Sequence, residues 1–392
     1  MRINTLCPTH ISDRGGPSYA CQALLGAMNI AGFDVSLHCI SSEDSVHKPF
    51  FRPTIPLWAK PIGYKLFSGN LLEKYTEWCY QRSIKAQDIA YLWPGTSIET
   101  YRAVKSSGHI LLTENVNTHQ ATSKQILDTE YHRLGLTPDH GIDAKNIADE
   151  CAKLELVDYV FSPSSEVTTS LRYAEVPNNK IIQSSYGCYE NEILLPREVS
   201  GRAKRTELTA IFVGRIGIRK GVHLLLDYWV KAGVTGKLKL VGRFEPNAMP
   251  LIEPYLHRHD IEHIPFTSDL RSVYLNADVL LLPSLEEGSP LVTYLALGAG
   301  LPSIVSPMGG GGVITDGYEG LVVDPHNADE WIESIRKVFS DTEFRLNISS
   351  NAHNKASEYL WNSVGRQRGE SLLSSLASRA GYDHLESFQP LP

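Results

Sequence analysis

A glycine-containing segment in the second half of the sequence carries two cations at a spacing that suits phosphate binding. In residues 214–221 (GRIGIRKG), Arg215 and Lys220 precede a predicted helix. A guanidinium group can bind two phosphate oxygens at once, and a lysine ammonium adds a compact positive charge. The N–H groups at a helix N-terminus are further donors for an anion. The segment therefore predicts a site that stabilises a diphosphate leaving group, with a solvated charge cluster as the alternative.

A second segment, residues 285–291 (LEEGSPL), lies between an apolar run and a predicted helix. Glu287 is expected at the edge of a cleft, and the backbone amides of Ser289 and Leu291 are expected to point into it. Pro290 has no N–H to donate and suits the first turn of a helix. Together these residues predict a polar edge that can bind the ligand beside the phosphate site.

Two further glycine-rich segments follow predicted strands, namely Gly15 with Gly16 and residues 309–312. Glycine lets a backbone approach a ligand closely and adopt conformations that other residues avoid. Neither of these segments nor residues 214–221 has the G-x-G-x-x-G or Walker A pattern, which argues against an oxidoreductase dinucleotide site and a P-loop hydrolase. No D-x-D triplet occurs, so fixed cations and helix dipoles are expected to act where a metal otherwise would, and no metal site is predicted.

These segments are connected by an alternation of short apolar runs and longer helical patterns. Continuous Val, Ile and Leu runs of this length indicate strands buried on both faces, as in parallel sheets, and the alternation predicts a doubly wound α/β fold. The pattern starts afresh near residue 209, which predicts two similar domains around a cleft. The predicted strands lie at residues 2–7, 35–40, 89–93, 110–113, 159–163, 180–184, 210–213, 237–241, 278–283, 303–306 and 321–323.

Length and composition limit the class of protein. The chain has 392 residues, a net charge of -7 and 42% apolar residues, which excludes a disordered chain and argues against binding nucleic acid through bulk charge. No apolar run reaches the ~18 residues of a membrane helix, and the first ten residues have no signal-peptide core. The six cysteines form no C-x-x-C pair. We expect a cytoplasmic protein with reduced, mainly buried thiols.

Residues 48–85 depart from this acidic average. They contain seven Lys and Arg residues against Glu73 and Glu77, with eight Phe, Trp and Tyr residues interleaved. Cations with interfacial aromatics suit an anionic membrane surface or a lipid-linked acceptor. The alternative is that the aromatic residues belong to the core and the charges to a solvated face.

The motifs FVGRIGIRKGVHLLLD, LVGRFEP, LNADVLLLPSLEEGSPLVTYLALGAGLPSIVS and GYEGLVVDP resemble glycosyltransferase family 4, whose members have the GT-B fold. The first half agrees more weakly, through GGPSYACQALLGAMNIAGFDV and VDYVFSPSSEVTTSLRYAEVPNNKI. The resemblance implies two Rossmann-like domains facing across a cleft. We expect an acceptor domain at residues 1–190, a linker at 191–207, a donor domain at 208–360, and a C-terminal helix and tail at 361–392 that pack on the first domain.

The resemblance also implies roles for individual residues. Arg215 and Lys220 match the family's pyrophosphate-binding residues, and Glu287 matches the first Glu of its E-x7-E signature, which contacts the donor sugar. His119 is the nearest candidate for a sugar-binding histidine, with an ordinary loop histidine as the alternative. The residues expected to bind the donor are Gly15, Gly16, Gly214, Gly242, Gly288, Ser289, Pro290, Leu291 and Leu295.

One position departs from the family pattern. Leu295 stands where the second Glu of the signature binds the ribose hydroxyls, and a leucine accepts no hydrogen bond. Three interpretations remain open. Other groups, such as Glu286 or Thr293, hold the nucleotide; the donor carries a deoxyribose, as in dTDP sugars; or the site is degenerate or altered.

The resemblance therefore implies a retaining, metal-independent hexosyltransferase. It would transfer a sugar from a nucleotide-diphosphate sugar, with UDP or GDP favoured and dTDP a further candidate, to a glycan or lipid-linked saccharide. The expected setting is bacterial surface polysaccharide or lipopolysaccharide synthesis, in the cytoplasm or peripherally on the inner face of the membrane. Two alternatives stay open: a non-catalytic partner subunit that binds a nucleotide sugar, and a GT-B sugar epimerase, whose acid and base residues are not evident.

Overall fold

The computed structural model describes residues 2–13, 15–43, 47–200, 207–267 and 269–380. Its first half alternates strands and helices, as the apolar pattern predicts. The strands are β1 (Ile3–Leu6), β2 (His10–Ile11), β3 (Val35–Cys39), β4 (Ser41–Ser42), β5 (Phe51–Pro53), β6 (Ile89–Leu92), β7 (Ile110–Glu114), β8 (Tyr159–Ser162) and β9 (Ile181–Gln183). The helices are α1 (Gly16–Ile30), α2 (Lys60–Leu66), α3 (Gly69–Ser83), α4 (Ile98–Ser106), α5 (Gln120–Arg133), α6 (Ala144–Leu156), α7 (Ser165–Tyr173) and α8 (Pro196–Ser200).

The second half repeats this alternation. Its strands are β10 (Leu208–Val213), β11 (Gly236–Val241), β12 (Ile261–Ile264), β13 (Val279–Leu282), β14 (Ser303–Val305) and β15 (Gly320–Val322). Its helices are α9 (Val222–Ala232), α10 (Met249–Ile252), α11 (Leu270–Leu275), α12 (Leu291–Gly298), α13 (Pro307–Gly310), α14 (Ala328–Ser340), α15 (Thr342–Lys355) and α16 (Trp361–Ala380).

The strands form two large parallel sheets. The first has the order β5-β3-β1-β6-β7-β8-β9 and the second the order β12-β11-β10-β13-β14-β15. In register, Ile3 of β1 pairs with Val35 and Ile89, and Ala210 of β10 pairs with Leu238 and Val279. Every residue of β1, β6 and β13 is buried, because helices cover both faces. The predicted fold of two doubly wound α/β domains is confirmed.

The apolar pattern missed four strands: the two-residue pair β2 and β4, and the longer strands β5 and β12. Strands β5 and β12 each lie at an edge of their sheet, where a strand has a partner on only one side. In β12 the central residues Glu262 and His263 are exposed, and in β5 Arg52 is exposed. Such strands lack a continuous apolar run, so the run-based pattern does not detect them.

Helix α16, the last one in the described part of the chain, returns to the first half of the chain and packs along α1. Gly365 permits the close approach, because a Cβ added there would lie 2.5 Å from the Cβ of Ala27. The predicted domain and linker boundaries stay predictions. Residues 201–206 of the linker and 381–392 of the tail lie outside the described residues.

The carboxyl ends of the two sheets face each other. The loop after β7 meets the loop after β13, where a Cβ added at Gly288 would lie 1.8 Å from the carbonyl oxygen of Val116. Farther along, the backbone N–H of Tyr186 donates to the hydroxyl of Tyr294 over 3.1 Å. Because ligands of open α/β sheets bind at the carboxyl ends of strands, the functional site is expected between these edges.

Candidate active site

The segment after β10 folds as a tight loop that leads into α9. Residues Ile218–Lys220 form a single turn of 3-10 helix. Gly221, the N-cap of α9, has a φ of 66°, in the left-handed conformation that glycine favours. A Cβ added at Gly214 would lie 2.9 Å from Cε of Lys220, and one added at Gly242 would lie 1.8 Å from the carbonyl oxygen of Gly214. Both glycines therefore make room for the loop and the Lys220 stem, and their contact with a donor stays a prediction.

Lys220 and Glu287, which lie far apart in the sequence, are in direct contact. The Lys220 ammonium donates a hydrogen bond to Oε1 of Glu287, and the Ser284 hydroxyl donates to the same oxygen over 3.4 Å. Burial by itself raises the pKa of Glu287, but the charges of Lys220 and Arg219 and the hydrogen bonds outweigh it and lower that pKa. Glu287 is therefore ionised, and it neutralises the lysine that is predicted to bind a diphosphate.

Arg219 is part of the same cluster, although the sequence analysis gave it no role. Its Nε lies 2.6 Å from Oε2 of Glu286, and its Nη2 lies 3.8 Å from Oε2 of Glu287. The signal in the sequence was adjacency, because Arg219 adjoins Lys220 and Glu286 adjoins Glu287. Two cations and two carboxylates thus meet at the carboxyl ends of β10 and β13.

Glu286 also joins the two domains. It accepts hydrogen bonds from the Thr118 hydroxyl over 2.7 Å and from the Ser123 hydroxyl over 3.1 Å, both in the first domain. Only 2% of Glu286 is exposed. This carboxylate therefore orients Arg219 and at the same time holds the loop after β7.

The two groups considered as substitutes for a ribose-binding glutamate are thus already engaged. Glu286 has the partners just described, and the buried Thr293 hydroxyl donates to the carbonyl oxygen of Gly309 over 2.8 Å. Leu295, on α12, is only partly exposed and packs against the core. The conformation described here therefore offers no support for ribose binding by Glu286 or Thr293.

Arg215 lies apart from this cluster. Its side chain is 80% exposed, and Nη1 is 3.7 Å from Oε1 of Glu245. Among the contacts that the structure describes, none joins Arg215 to Lys220 or Glu287. An exposed ion pair of this length holds a guanidinium weakly, so Arg215 can move onto a bound anion at low energetic cost.

His119 is buried at the start of α5, where its Nδ1 accepts a hydrogen bond from the Ala121 N–H over 3.2 Å. Its Nε2 lies 3.5 Å from Oε2 of Glu150, and only 1% of the residue is exposed. Burial lowers the pKa of His119 and raises the pKa of Glu150 to about 7. In this conformation His119 caps a helix, and its predicted contact with a sugar stays a prediction.

The remaining predicted residues occupy the loops around the cluster. Ser289 shares a 2.7 Å hydrogen bond with Tyr294, while Pro290 and Leu291 begin α12. Gly15 and Gly16 adopt φ angles of 87° and 80°, and a Cβ added at either would meet no atom within 4 Å. A ligand therefore has room to approach the backbone at this glycine pair.

The second domain matches a known family of enzymes. Residues 198–355 match the model of the glycosyl transferases group 1. An uncharacterised glycosyltransferase of Methanocaldococcus jannaschii is 28% identical over 202 residues, which cover 48% of this chain and 52% of that protein. Across the first curated relatives, the matched stretch spans 22–52% of their length.

Solved structures match over nearly the whole chain. Sucrose-phosphate synthase from Thermosynechococcus elongatus has a TM-score of 0.73 at 19% identity and covers 96% of this chain and 99% of its own. The Anabaena protein HepE, solved with UDP and glucose, has a TM-score of 0.68 at 16% identity, with coverages of 95% and 100%. At these identities the likeness establishes the fold. The chain therefore has the two-domain GT-B fold, and its second domain carries the sequence pattern of the group 1 glycosyl transferases.

Proposed function

We propose that this protein is a retaining glycosyltransferase that uses a nucleotide-diphosphate sugar. The observation that carries the proposal is the contact of Lys220 and Arg219 with Glu286 and Glu287 at the facing edges of the two sheets. The cations suit a diphosphate, and Glu287 suits the hydroxyls of a donor sugar. The match of the second domain to the group 1 glycosyl transferases supports the same chemistry.

The proposed reaction joins an acceptor hydroxyl to the anomeric carbon of the donor sugar. The new carbon–oxygen bond forms on the face from which the nucleoside diphosphate leaves, and a phosphate oxygen of the leaving group takes the acceptor proton. Lys220 turns from Glu287 to the diphosphate and stabilises the negative charge that grows there. Glu287, released from the lysine, then accepts hydrogen bonds from the donor sugar. The facing domains exclude water that would otherwise hydrolyse the donor.

The nucleotide can be identified by thermal shift. We expect UDP, GDP or dTDP to raise the melting temperature of the protein. ADP and CMP are included as comparison nucleotides. Because Leu295 cannot bind ribose hydroxyls, Leu295→Glu is expected to tighten binding of a ribonucleotide by about tenfold or more, and of dTDP by less. A wild-type preference for dTDP over UDP would support the deoxyribose interpretation. The absence of a shift with all five nucleotides would contradict the proposed function.

A non-catalytic nucleotide-sugar-binding subunit is the second candidate, and Leu295 is the observation that favours it. The Lys220–Glu287 contact favours the enzyme instead. Release of nucleoside diphosphate from the donor, measured with and without added acceptors, separates the two. Binding without hydrolysis or transfer would establish the second candidate.

The exposed side chains of residues 58–85 support a peripheral location at an anionic membrane, and the proposed setting is bacterial surface polysaccharide or lipopolysaccharide synthesis. Of the fifteen large apolar or aromatic side chains found exposed among the described residues, eight lie on residues 58–78. We call the exposed side chains of residues 58–85 the α2–α3 surface. Its apolar and aromatic members are Trp58, Ile62, Tyr64, Leu66, Phe67, Leu71, Tyr75 and Trp78.

The charges on this surface are mainly positive. Lys65, Lys74 and Arg82 are exposed, whereas Glu77 is buried and accepts hydrogen bonds from Ser97 and Thr100. Of the eight aromatic residues between positions 48 and 85, only Phe50, Phe51 and Tyr80 are buried. The alternative that all these aromatics belong to the core is therefore wrong. Among the described residues, no helix has the length and apolarity needed to cross a membrane.

Vesicle binding tests this location. Each basic residue near an anionic surface contributes about 1 kcal/mol. Lys65→Glu with Lys74→Glu is therefore expected to weaken binding to vesicles containing phosphatidylglycerol by at least ~10-fold in a sedimentation assay. Lys145→Glu with Lys231→Glu changes the net charge equally, elsewhere on the protein, and should leave binding almost unchanged. Equal losses in both double variants would show that overall charge, and no local surface, governs binding.

A further inference from the structure

A chain of hydrogen bonds runs from α2 to the carboxyl ends of β1 and β3. The hydroxyls of Tyr64 and Ser41 lie 2.8 Å apart, and the Ser41 hydroxyl lies 2.8 Å from Nδ1 of His10. His10 and Ser41 are also neighbours in the short parallel pair β2 and β4. Ser41 is fully buried, whereas Tyr64 is 44% exposed and the His10 side chain is 30% exposed. Both ends of the His10–Ser41–Tyr64 chain are thus accessible to a ligand.

Within the described ranges, Glu43 and Lys60 are charged groups that face this chain. Oε1 of Glu43 lies 3.9 Å from Nε2 of His10, and the Ser12 hydroxyl donates to the same oxygen over 3.4 Å. Lys60 donates to the carbonyl oxygen of Ser42 over 3.3 Å. Burial and the positive charge of Lys60 lower the pKa of His10 and outweigh Glu43, so the imidazole is neutral near pH 7. Neutral hydroxyl and imidazole groups, with Glu43 and Lys60 beside them, suit a ligand rich in hydroxyls.

In the sequence, the glycine pair of the candidate active site begins five residues after His10. Ser12 follows β2, and its backbone N–H donates to the Ser18 hydroxyl of α1 over 3.4 Å, which places the loop against the helix that Gly15 and Gly16 begin. The contacts of Glu286 with Thr118 and Ser123 and of Tyr186 with Tyr294 come from other strand ends of the first sheet. None of these contacts involves His10 or Tyr64, whose side chains stay partly exposed.

Tyr64 also belongs to the α2–α3 surface. While its hydroxyl bonds to Ser41, its neighbours Ile62 and Leu66 on the same helix are 57% and 70% exposed. Gly63 packs against Ile55, because a Cβ added there would lie 2.8 Å from Cδ1 of that residue. One face of α2 thus packs on the protein, where the Tyr64 hydroxyl reaches Ser41. The other face presents the apolar side chains of Ile62 and Leu66 to solvent.

We propose that the His10–Ser41–Tyr64 chain binds the hydroxylated head group of an amphiphilic acceptor whose apolar portion lies on the α2–α3 surface. The head group is a sugar or polyol, because the chain offers neutral donors and acceptors beside Glu43. The inference rests on the proposed transferase function and assigns the acceptor to the lipid-linked class. It also places the acceptor hydroxyl next to Gly15 and Gly16.

Binding of simple amphiphiles tests the subsite. The probes are n-octyl β-D-glucopyranoside below its critical micelle concentration, n-octylphosphocholine, which has the same tail and no hydroxyl, and methyl β-D-glucopyranoside, which has no tail. Tyr64→Phe removes one hydroxyl and keeps the ring. It is expected to weaken binding of the octyl glucoside 5- to 10-fold and of octylphosphocholine less than 2-fold. The control Tyr173→Phe, at an exposed tyrosine of α7, should change neither.

Three results would overturn the assignment: equal weakening of both octyl probes by Tyr64→Phe, no weakening of either, or wild-type binding of the methyl glucoside as tight as that of the octyl glucoside. Ser41→Ala is a second variant for the same binding measurement with octyl glucoside, and its melting temperature shows whether the protein still folds. The nucleotide thermal shift of Tyr64→Phe should equal that of the wild type. A wild type without any nucleotide shift would contradict the proposed function, whereas the probe comparison bears on this subsite alone.

Discussion

Lys220→Ala is expected to lower turnover at saturating donor by ~30-fold to ~1,000-fold, because it removes one fixed positive charge from the departing diphosphate. Such a charge stabilises the transition state more than the bound donor, so kcat falls and a higher donor concentration does not restore it. The measurement is the steady-state release of nucleoside diphosphate over a range of donor concentrations.

A matched control lies on the next helix. Lys231 is an exposed lysine of α9 that pairs with Asp227 over 2.7 Å, and Lys231→Ala should retain nearly full turnover. In Lys220→Ala the buried Glu287 retains one cation, Arg219 at 3.8 Å, and the Ser284 hydroxyl. Melting temperatures must therefore show that each variant is folded at the assay temperature. Turnover close to the wild-type value in a folded Lys220→Ala protein would remove Lys220 from the proposed mechanism.

Arg368→Ala is expected to lower the free energy of unfolding by about 3–5 kcal/mol, because it leaves the Glu114 carboxylate buried without its partner. Arg368 Nη1 lies 2.8 Å from Oε2 of Glu114, and both side chains are at most 1% exposed. The same carboxylate accepts a hydrogen bond from the Tyr91 hydroxyl, and Nη2 of Arg368 donates to the carbonyl oxygen of Ser185 over 3.1 Å. This pair attaches α16 to the end of β7.

Urea unfolding, followed by circular dichroism, measures the effect. Arg366→Ala removes an exposed arginine from the same helix and should change stability by less than about 0.5 kcal/mol. The double variant Arg368→Met with Glu114→Gln no longer leaves a buried charge, so it should be more stable than Arg368→Ala. A loss below 1 kcal/mol in Arg368→Ala would mean that water or another cation reaches Glu114 once the arginine is gone.

The central strands of both sheets were predictable because they are buried on both faces and read as continuous apolar runs. The helix α9 was predictable because Gly233 marks its end and the apolar pattern repeats with a helical period. Such local signals do not depend on the rest of the fold. The edge strands β5 and β12 were missed for the opposite reason. Exposed residues interrupt their apolar runs, and they form strands because they pair with a neighbouring strand that is distant in the sequence.

The candidate site divides in the same way. Glu287 and Lys220 were identified from segments with a recognisable pattern, but their hydrogen bond depends on how β10 and β13 lie side by side in the second sheet. Arg219 and Glu286 have no pattern of their own. Their roles become visible only when the loop after β13 meets Thr118 across the interface between the domains.

The sequence by itself therefore determined the fold class and picked out the residues in the second half of the chain that are predicted to bind phosphate, because both rest on short-range patterns of apolar periodicity and charge. Tertiary structure alone decided which charges neutralise each other, that Glu286 is engaged between the domains, and that the aromatic residues between positions 48 and 85 divide into core and surface. It also brought His10, Ser41 and Tyr64 together. Contacts between residues distant in sequence are set by packing, which a local pattern does not encode.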